Sequence, residues 1–406
     1  MKVLMLSPLL PWPLDLGARI RIYHSVRVLG QMGHDVTLIC INTERFEPSA
    51  IEVLRHYCRE LKVVSASRRS RHWTALRALL SNKPYGVVKF WSPSFQQTVE
   101  NSLKVHYDVL WVHFIETLAY LPGFAKGRKC LIVLDQHNAD ERFWATFSRS
   151  GPPWVRLFAW QNIWNLRRFQ RQVLRKVDVV LSVSEEDAVF TRARLPSPST
   201  QVWVVPNGVD TEYLQTKNNE ERRNRIIFCG AMDIFMNIDA VVCFAKKVFP
   251  MVRESIPDAE FWVVGRDPAP EVRALANLPG IYVTGRVEDV RPYYAQAKVA
   301  VAPFRYGGGT KLKVLEAMAL GVPVVATSVG CQGIEAIPGK HLFVAERDEE
   351  FARQVNILLE DEVIWKRVTS DARRLVEQKY SWESILRGTI ARLEQLISKP
   401  GEGVSG

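Results

Sequence analysis

The chain has 406 residues, 47% of them hydrophobic and 24% charged. That balance excludes a disordered or fibrous chain, and the length calls for two cores rather than one. Net charge is +11, distributed as +12 through Pro206 and −1 beyond it, so the basic character belongs to the first half.

The opening stretch, MKVLMLSPLLPWPLDLG, is apolar but short and broken by three prolines. It reads as a first buried strand rather than a signal peptide. No apolar run is long enough to span a bilayer, and the expected location is cytoplasmic. The six cysteines lie mostly inside apolar runs and form no CxxC pair, so they read as reduced thiols rather than disulfides or zinc ligands.

Short apolar runs then alternate with longer helical patterns. Residues 2–8, 35–41, 61–66, 108–114, 130–137 and 178–184 read as buried parallel strands. Gly17, Arg19 and Arg21 follow the first strand and open RIRIYHSVRVLGQMG, a helix that Gly33 closes. Either arginine reads as a site residue or as a solvated helix edge. His113 and His137 each end a strand, and of the two His113 is the preferred catalytic candidate.

Two acid-free stretches hold most of the excess charge. Between Glu60 and Glu100 lie seven basic residues, and between Glu141 and Asp178 lie eight. Trp73, Trp154, Trp160 and Trp164 are interleaved with them. Such segments suit an anionic phosphate surface, or they are solvated basic faces whose tryptophans enter the core. No DNA- or RNA-binding motif accompanies them, so nucleic acid is not expected.

QVWVVPNGVDTEYLQTKNNEERRNR, residues 201–225, runs from a strand through a Pro-Asn-Gly turn into polar linker chemistry. The rhythm then resumes, with strands expected at 225–231, 260–266, 281–286, 299–304, 322–327 and 341–345. The fold class is therefore α/β, with two Rossmann-like doubly wound domains facing a cleft. The boundaries are 1–205 and 206–380, and a helix at about 381–397 is expected to pack back on the first domain.

The most informative stretch is FRYGGGTKLKVLEAMALGVPVVAT, Phe304 to Thr327. Gly307, Gly308 and Gly309 let backbone approach a ligand, and Thr310 reads as the N-cap of the next helix. Lys311 and Lys313 fall in the first turn, where the helix dipole disfavours cations unless an anion sits there. A diphosphate meets that requirement. Glu316, one turn deeper, is suited to ribose hydroxyls. The bland alternative is a surface Lys313–Glu316 pair beside an ordinary turn.

This stretch resembles the donor-site signature of glycosyl transferase group 1, a retaining family with two Rossmann-like domains, the GT-B fold. VVPNGVD, FWVVGR, IYVTGRVEDVRPYYAQAKVAVAPF and GHDVTLI resemble other parts of it, from Lys2 to about Trp382. CGAMDIFMNIDAVVCFAKKVFP and LGARIRIYH resemble sugar transferases of bacterial exopolysaccharide and exosortase-linked systems. The resemblance implies a hexosyl-type glycosyltransferase that moves sugar from a nucleotide-diphosphate donor to a lipid-linked or saccharide acceptor. It implies no cofactor. The absence of any DxD triplet adds an expectation of metal independence.

Carried over by position, Glu316 binds ribose, Gly285, Arg286 and Val287 read the base, and Gly17 closes over the phosphates. Arg19 joins the donor set, and His113 lies near the sugar. The family's first signature glutamate falls on Gly308, and its usual arginine and lysine after the first strand of the second domain fall on Ala231 and Asn237. Lys311 and Lys313 are candidates to replace those cations. The departures also admit a catalytically inactive nucleotide- or polysaccharide-binding protein, and the fold admits a nucleotide-sugar epimerase. The basic first half implies peripheral contact with the inner face of the cytoplasmic membrane.

Overall fold

The computed structural model describes residues 1–14, 16–43, 48–66, 70–121, 130–137, 141, 144–145, 148, 153–214, 222–307 and 310–398. The chain divides into two compact units. One is Met1–Pro206 together with the chain from Leu386 onward; the other is Asn207–Ile385.

The first unit is built on Lys2–Ser7 (β1), Asp35–Asn42 (β2), Glu60–Ser65 (β3), Val109–His113 (β4), Leu131–Gln136 (β5), Val179–Ser182 (β6) and Gln201–Val204 (β7). They form one sheet in the order β3-β2-β1-β4-β5-β6-β7, every pair parallel. Burial follows position in the sheet. Central β4, VLWVH, is buried at every residue, whereas edge strand β3, ELKVVS, is exposed at both ends. Continuous apolar runs mark strands covered on both faces, and charged residues such as Lys62 mark an edge.

The second unit contains Arg223–Cys229 (β8), Glu260–Val264 (β9), Ile281–Gly285 (β10), Ala297–Ala302 (β11), Val324–Ala326 (β12) and Phe343–Val344 (β13). Its order is β10-β9-β8-β11-β12-β13, again parallel throughout. Helices are interleaved with the strands in both units. Each sheet therefore reverses its winding once, between β1 and β4 in the first and between β8 and β11 in the second. Ligands of doubly wound sheets bind at the carboxyl ends of strands beside that reversal.

Two helix ends bear on the site. The helix Gly17–Gln31 stops at Met32, and Gly33 takes a φ of 79° beyond it. The helix Leu312–Ala319 stops at Leu320, and Gly321 takes a φ of 68°. A left-handed glycine terminates each, as the sequence predicts. Thr310 departs from expectation. The N-cap is Lys311, in an extended conformation with no side-chain cap, while the Thr310 hydroxyl lies 3.4 Å from the Gly333 carbonyl. Thr310 is spent on tying its loop to the neighbouring turn.

Candidate functional site

In the second unit the side chains converge at the reversal between β8 and β11. Lys313, in the first turn of the Leu312–Ala319 helix, reaches across to the end of β8. Its Nζ donates to Asn237 Oδ1 at 2.8 Å, and Asn237 Nδ2 donates to the Ala231 carbonyl at 2.7 Å. Asn237 and Ala231 are the positions where the resemblance led one to look for lysine and arginine, so the ammonium of Lys313 occupies their neighbourhood. The ammonium also lies 4.3 Å from the ring centre of Phe228 and 4.9 Å from that of Phe304. This apolar enclosure pushes its pKa down to about 7, although the residue as a whole is only half-buried. Burial also lowers the pKa of Lys311, whose Nζ lies 5.7 Å from the Phe304 ring centre. Two partly buried lysines at the uncapped start of a helix with no acid in its first turn have the chemistry to receive an anion.

Glycines allow this approach. A Cβ at Gly230 would lie 2.6 Å from Lys313 Nζ, and one at Gly265 would lie 1.7 Å from the Gly230 carbonyl oxygen. Gly265 N donates to the Gly285 carbonyl at 3.2 Å. Gly230, Gly265 and Gly285 thus run in a row from the lysines to the end of β10. Gly285 has a φ of 72°; Arg286 is exposed and Val287 packs partly on the core. Glu316 carries a raised pKa because burial outweighs the opposing charge of Lys313. Lys313 bonds to Asn237 rather than pairing with Glu316 on a surface, which removes the bland reading of that pair. Gly308 and Gly309 lie outside the described residues.

In the first unit the equivalent place is built differently. Gly17 is exposed at the start of its helix, just beyond β1. Arg19 and Arg21 are both buried rather than forming a solvated edge. Arg21 is structural: its Nε donates to Asp135 Oδ1 at 2.8 Å and its Nη1 to the Val205 carbonyl at 3.0 Å. Burial alone would raise the Asp135 pKa, but Arg21, His113 and His137 together hold it below the ordinary range.

His113 is 0% exposed. Its Nδ1 lies 3.0 Å from His137 Nε2 and 3.5 Å from Asp135 Oδ2. Burial pushes its pKa down to about 4, against Asp135 and with Arg21, so the ring is neutral at physiological pH. The expectation that His113 meets the sugar is therefore revised. It touches His137, which is 7% exposed and stacked on Phe114 at 4.2 Å between ring centres. The donor atoms of His113, Asp135 and His137 lie within 4.8 Å of one another and are the group among the described residues with the spacing of metal ligands. A cation there would compete with Arg21 for the carboxylate.

Sequence reasoning overlooked Gly230, Phe228 and Asp135. The Lys313–Asn237 bond spans 76 positions and the Arg21–Asp135 pair 114. Only the phase of the strand patterns, which places Gly230 and Asp135 at or near carboxyl ends, could have flagged them.

Comparison with known proteins bears on the family and the fold. Residues 17–213 match the family model described as Glycosyltransferase Family 4, and residues 223–361 match Glycosyl transferases group 1. An uncharacterized protein from the cps region of Klebsiella pneumoniae is 21% identical over 95% of this chain and 97% of its own length. TuaC of Bacillus subtilis, assigned as a teichuronic acid biosynthesis glycosyltransferase, is 24% identical over 91% of this chain and 92% of its own. Among solved structures, sucrose-phosphate synthase from Thermosynechococcus elongatus superposes with a TM-score of 0.69 at 18% identity, covering 98% of this chain and all of that one. Anabaena Alr3699/HepE in complex with UDP-glucose gives 0.66 at 14%, covering 97% and 100%. These superpositions establish the shared two-domain α/β fold.

Proposed function

Since the chain belongs to the group 1 glycosyltransferases, we propose that it moves a hexosyl group from a nucleoside-diphosphate sugar to a lipid-linked or saccharide acceptor in cell-surface polysaccharide synthesis. The observation that carries this reading is Lys313, held at the β8/β11 reversal against Gly230 and Asn237, beside the glycine row.

In this reading Lys311, Lys313 and the first amides of their helix hold the diphosphate. Glu316 accepts hydrogen bonds from ribose, and the backbone of Gly285, Arg286 and Val287 reads the base. As the glycosidic bond lengthens, negative charge grows on the diphosphate. Preorganised cations stabilise it, and loss of one such donor costs about 2.7–4 kcal/mol of barrier. The acceptor attacks on the face the diphosphate leaves, through an oxocarbenium-like state, and configuration is retained. The departing phosphate takes the acceptor proton, because an imidazole with a pKa of about 4 is a weak base at neutral pH. His113 then acts by positioning His137. The cations are the protein's own ammonium groups, which fits a metal-independent reaction. TuaC and the cps-region relative support the polysaccharide setting. A peripheral location on the inner face of the cytoplasmic membrane suits a lipid-linked acceptor.

Gly308 in place of the first signature glutamate favours one second reading, donor binding without transfer. Thermal unfolding against a panel of nucleotide sugars, followed by a transfer and hydrolysis assay, separates the two. A ligand at a hundred times its Kd adds about 2.7 kcal/mol of stability. Stabilisation with turnover supports the transferase, and stabilisation without turnover supports the binder. No stabilisation by any nucleotide sugar would sink both.

A further inference from the structure

Two helices of the first unit carry large apolar side chains on their solvent faces. In Arg71–Ser81 the small Thr74 and Ala78 are buried, while Trp73, Leu76, Arg77 and Leu80 face solvent at helical spacing. In Pro153–Val173 the buried positions are Asn162, Asn165 and Gln170 beside Ala159, Leu166 and Val173. Its outer face carries Leu157, Trp160, Trp164, Arg168 and Arg171 in one stripe. Relative exposures are 73% for Trp73, 72% for Trp154, 70% for Trp160 and 52% for Trp164. A soluble surface normally shows the reverse pattern, and a cluster of large exposed apolar side chains marks a contact surface.

The two helices are neighbours: Gln161 Nε2 donates to the Leu79 carbonyl at 3.2 Å. Asn162 Oδ1 accepts from Tyr85 N at 2.7 Å, which fixes the buried side of the longer helix and with it the outward aim of the tryptophans. A groove of about 600 Å³ opens along the shorter helix, lined by Trp73, Leu76, Arg77, Leu80 and Val88. Neither helix contains an acidic residue.

We propose that these two helices form one platform that seats the protein on an anionic lipid bilayer, with the tryptophan and leucine side chains at headgroup depth and the arginines against lipid phosphates. The proposal deepens the lipid-linked reading above and rests on it for the choice of membrane. Charge complementarity favours lipid over a second copy of this chain, since two acid-free faces would bring arginines together. Tryptophan is the side chain that prefers the water–lipid boundary, and apolar side chains flanked by arginine are the pattern of helices lying in that plane. The platform adheres without spanning: among the described residues no helix is long and apolar enough to cross a membrane.

The test is co-sedimentation of the full chain with vesicles of phosphatidylcholine alone or with phosphatidylglycerol, with tryptophan emission recorded in parallel. The expected result is binding that needs phosphatidylglycerol, weakens sharply at 1 M salt where the screening length is about 3 Å, and shifts emission to the blue. Trp160→Ala with Trp164→Ala should lower partitioning at least about tenfold, and Arg168→Glu with Arg171→Glu should lower it further at low salt. Both variants should retain the wild-type melting temperature and turnover on a water-soluble acceptor, which separates failure of docking from failure of the transferase reading. Absent binding at low salt, binding the variants leave intact, or a wild-type dimer that the tryptophan variant dissolves would each overturn the proposal.

Discussion

Lys313 links the chemistry of the second unit to pH. Its ammonium lies near the rings of Phe228 and Phe304 and donates to Asn237 Oδ1, and its pKa falls to about 7 from 10.5. A diphosphate beside it favours the charged form. Binding of a nucleotide sugar, whose diphosphate has no group of its own titrating near pH 7, should therefore take up a proton. Affinity should fall by up to about tenfold per pH unit above 7. Calorimetry at pH 8 in two buffers of different ionisation enthalpy measures the uptake, and Lys313→Arg should abolish it. Without ligand the sign reverses. The unfolded chain keeps a proton that the native chain has released, so this residue makes stability rise with pH between about 7 and 10.5. Arg21 is the matching residue of the first unit. Removing it leaves the Asp135 carboxylate buried without its guanidinium, which costs about 3–5 kcal/mol. Urea unfolding of Arg21→Ala should show that loss. Arg21→Lys should recover only part of it, because a lysine lacks the fork that reaches both Asp135 and the Val205 carbonyl.

Elements, not single residues, decide which of these groups meet. The strands were legible because parallel strands covered on both faces read as unbroken apolar runs; β1, β4 and β9 fall within a residue or two of the expected limits at most ends. The order of the strands was not legible, since pairing between β8 and β11 joins segments some seventy residues apart. The helix Leu312–Ala319 and its end at Gly321 were legible in the sequence, yet the neighbours of Lys313, Gly230 and Asn237, depend on that pairing. His113 was placed correctly at a strand end. Its burial was not legible, because Asp135 and His137 meet it only in the folded sheet. The tryptophan segments stayed open between two readings for another reason. Their stripe suits either a core face or an outer one, and buried asparagines break the rule that would choose between them. Glycines at strand ends give a test at this scale. Gly230→Ala meets only the flexible end of Lys313 and the Asn237 amide, so the fold should survive while nucleotide-sugar affinity drops at least about tenfold. Gly265→Ala meets the Gly230 carbonyl at 1.7 Å, which no side-chain movement relieves, so both stability and binding should fall. Equal melting temperatures for the two variants would refute the distinction.

At the scale of the whole molecule, the helix Trp382–Ser398 belongs to the second unit by its start and to the first from Leu386 onward. Within the first unit the Arg392 guanidinium lies 4.0 Å from the Trp203 ring centre, and His34 Nε2 lies 3.5 Å from Glu394 Oε1. Leu386, Ile390 and Leu393 are fully buried. Each contributes about 1.5–3 kcal/mol, against a total margin of about 5–15 kcal/mol for a domain. A chain stopped after Ile385 should lose the calorimetric transition of the first unit and keep that of the second. Retention of both transitions would show that the final helix is dispensable.

The polypeptide therefore passes from one unit to the other twice, once after Pro206 and again after Ile385. In genetic terms the second unit is a cassette inserted into its host rather than a carriage coupled behind it. Recombination among relatives that exchanged the second unit while keeping the rest would need crossovers at both seams. A chimera joined at the first seam alone would pair the final helix of one parent with the sheet of the other.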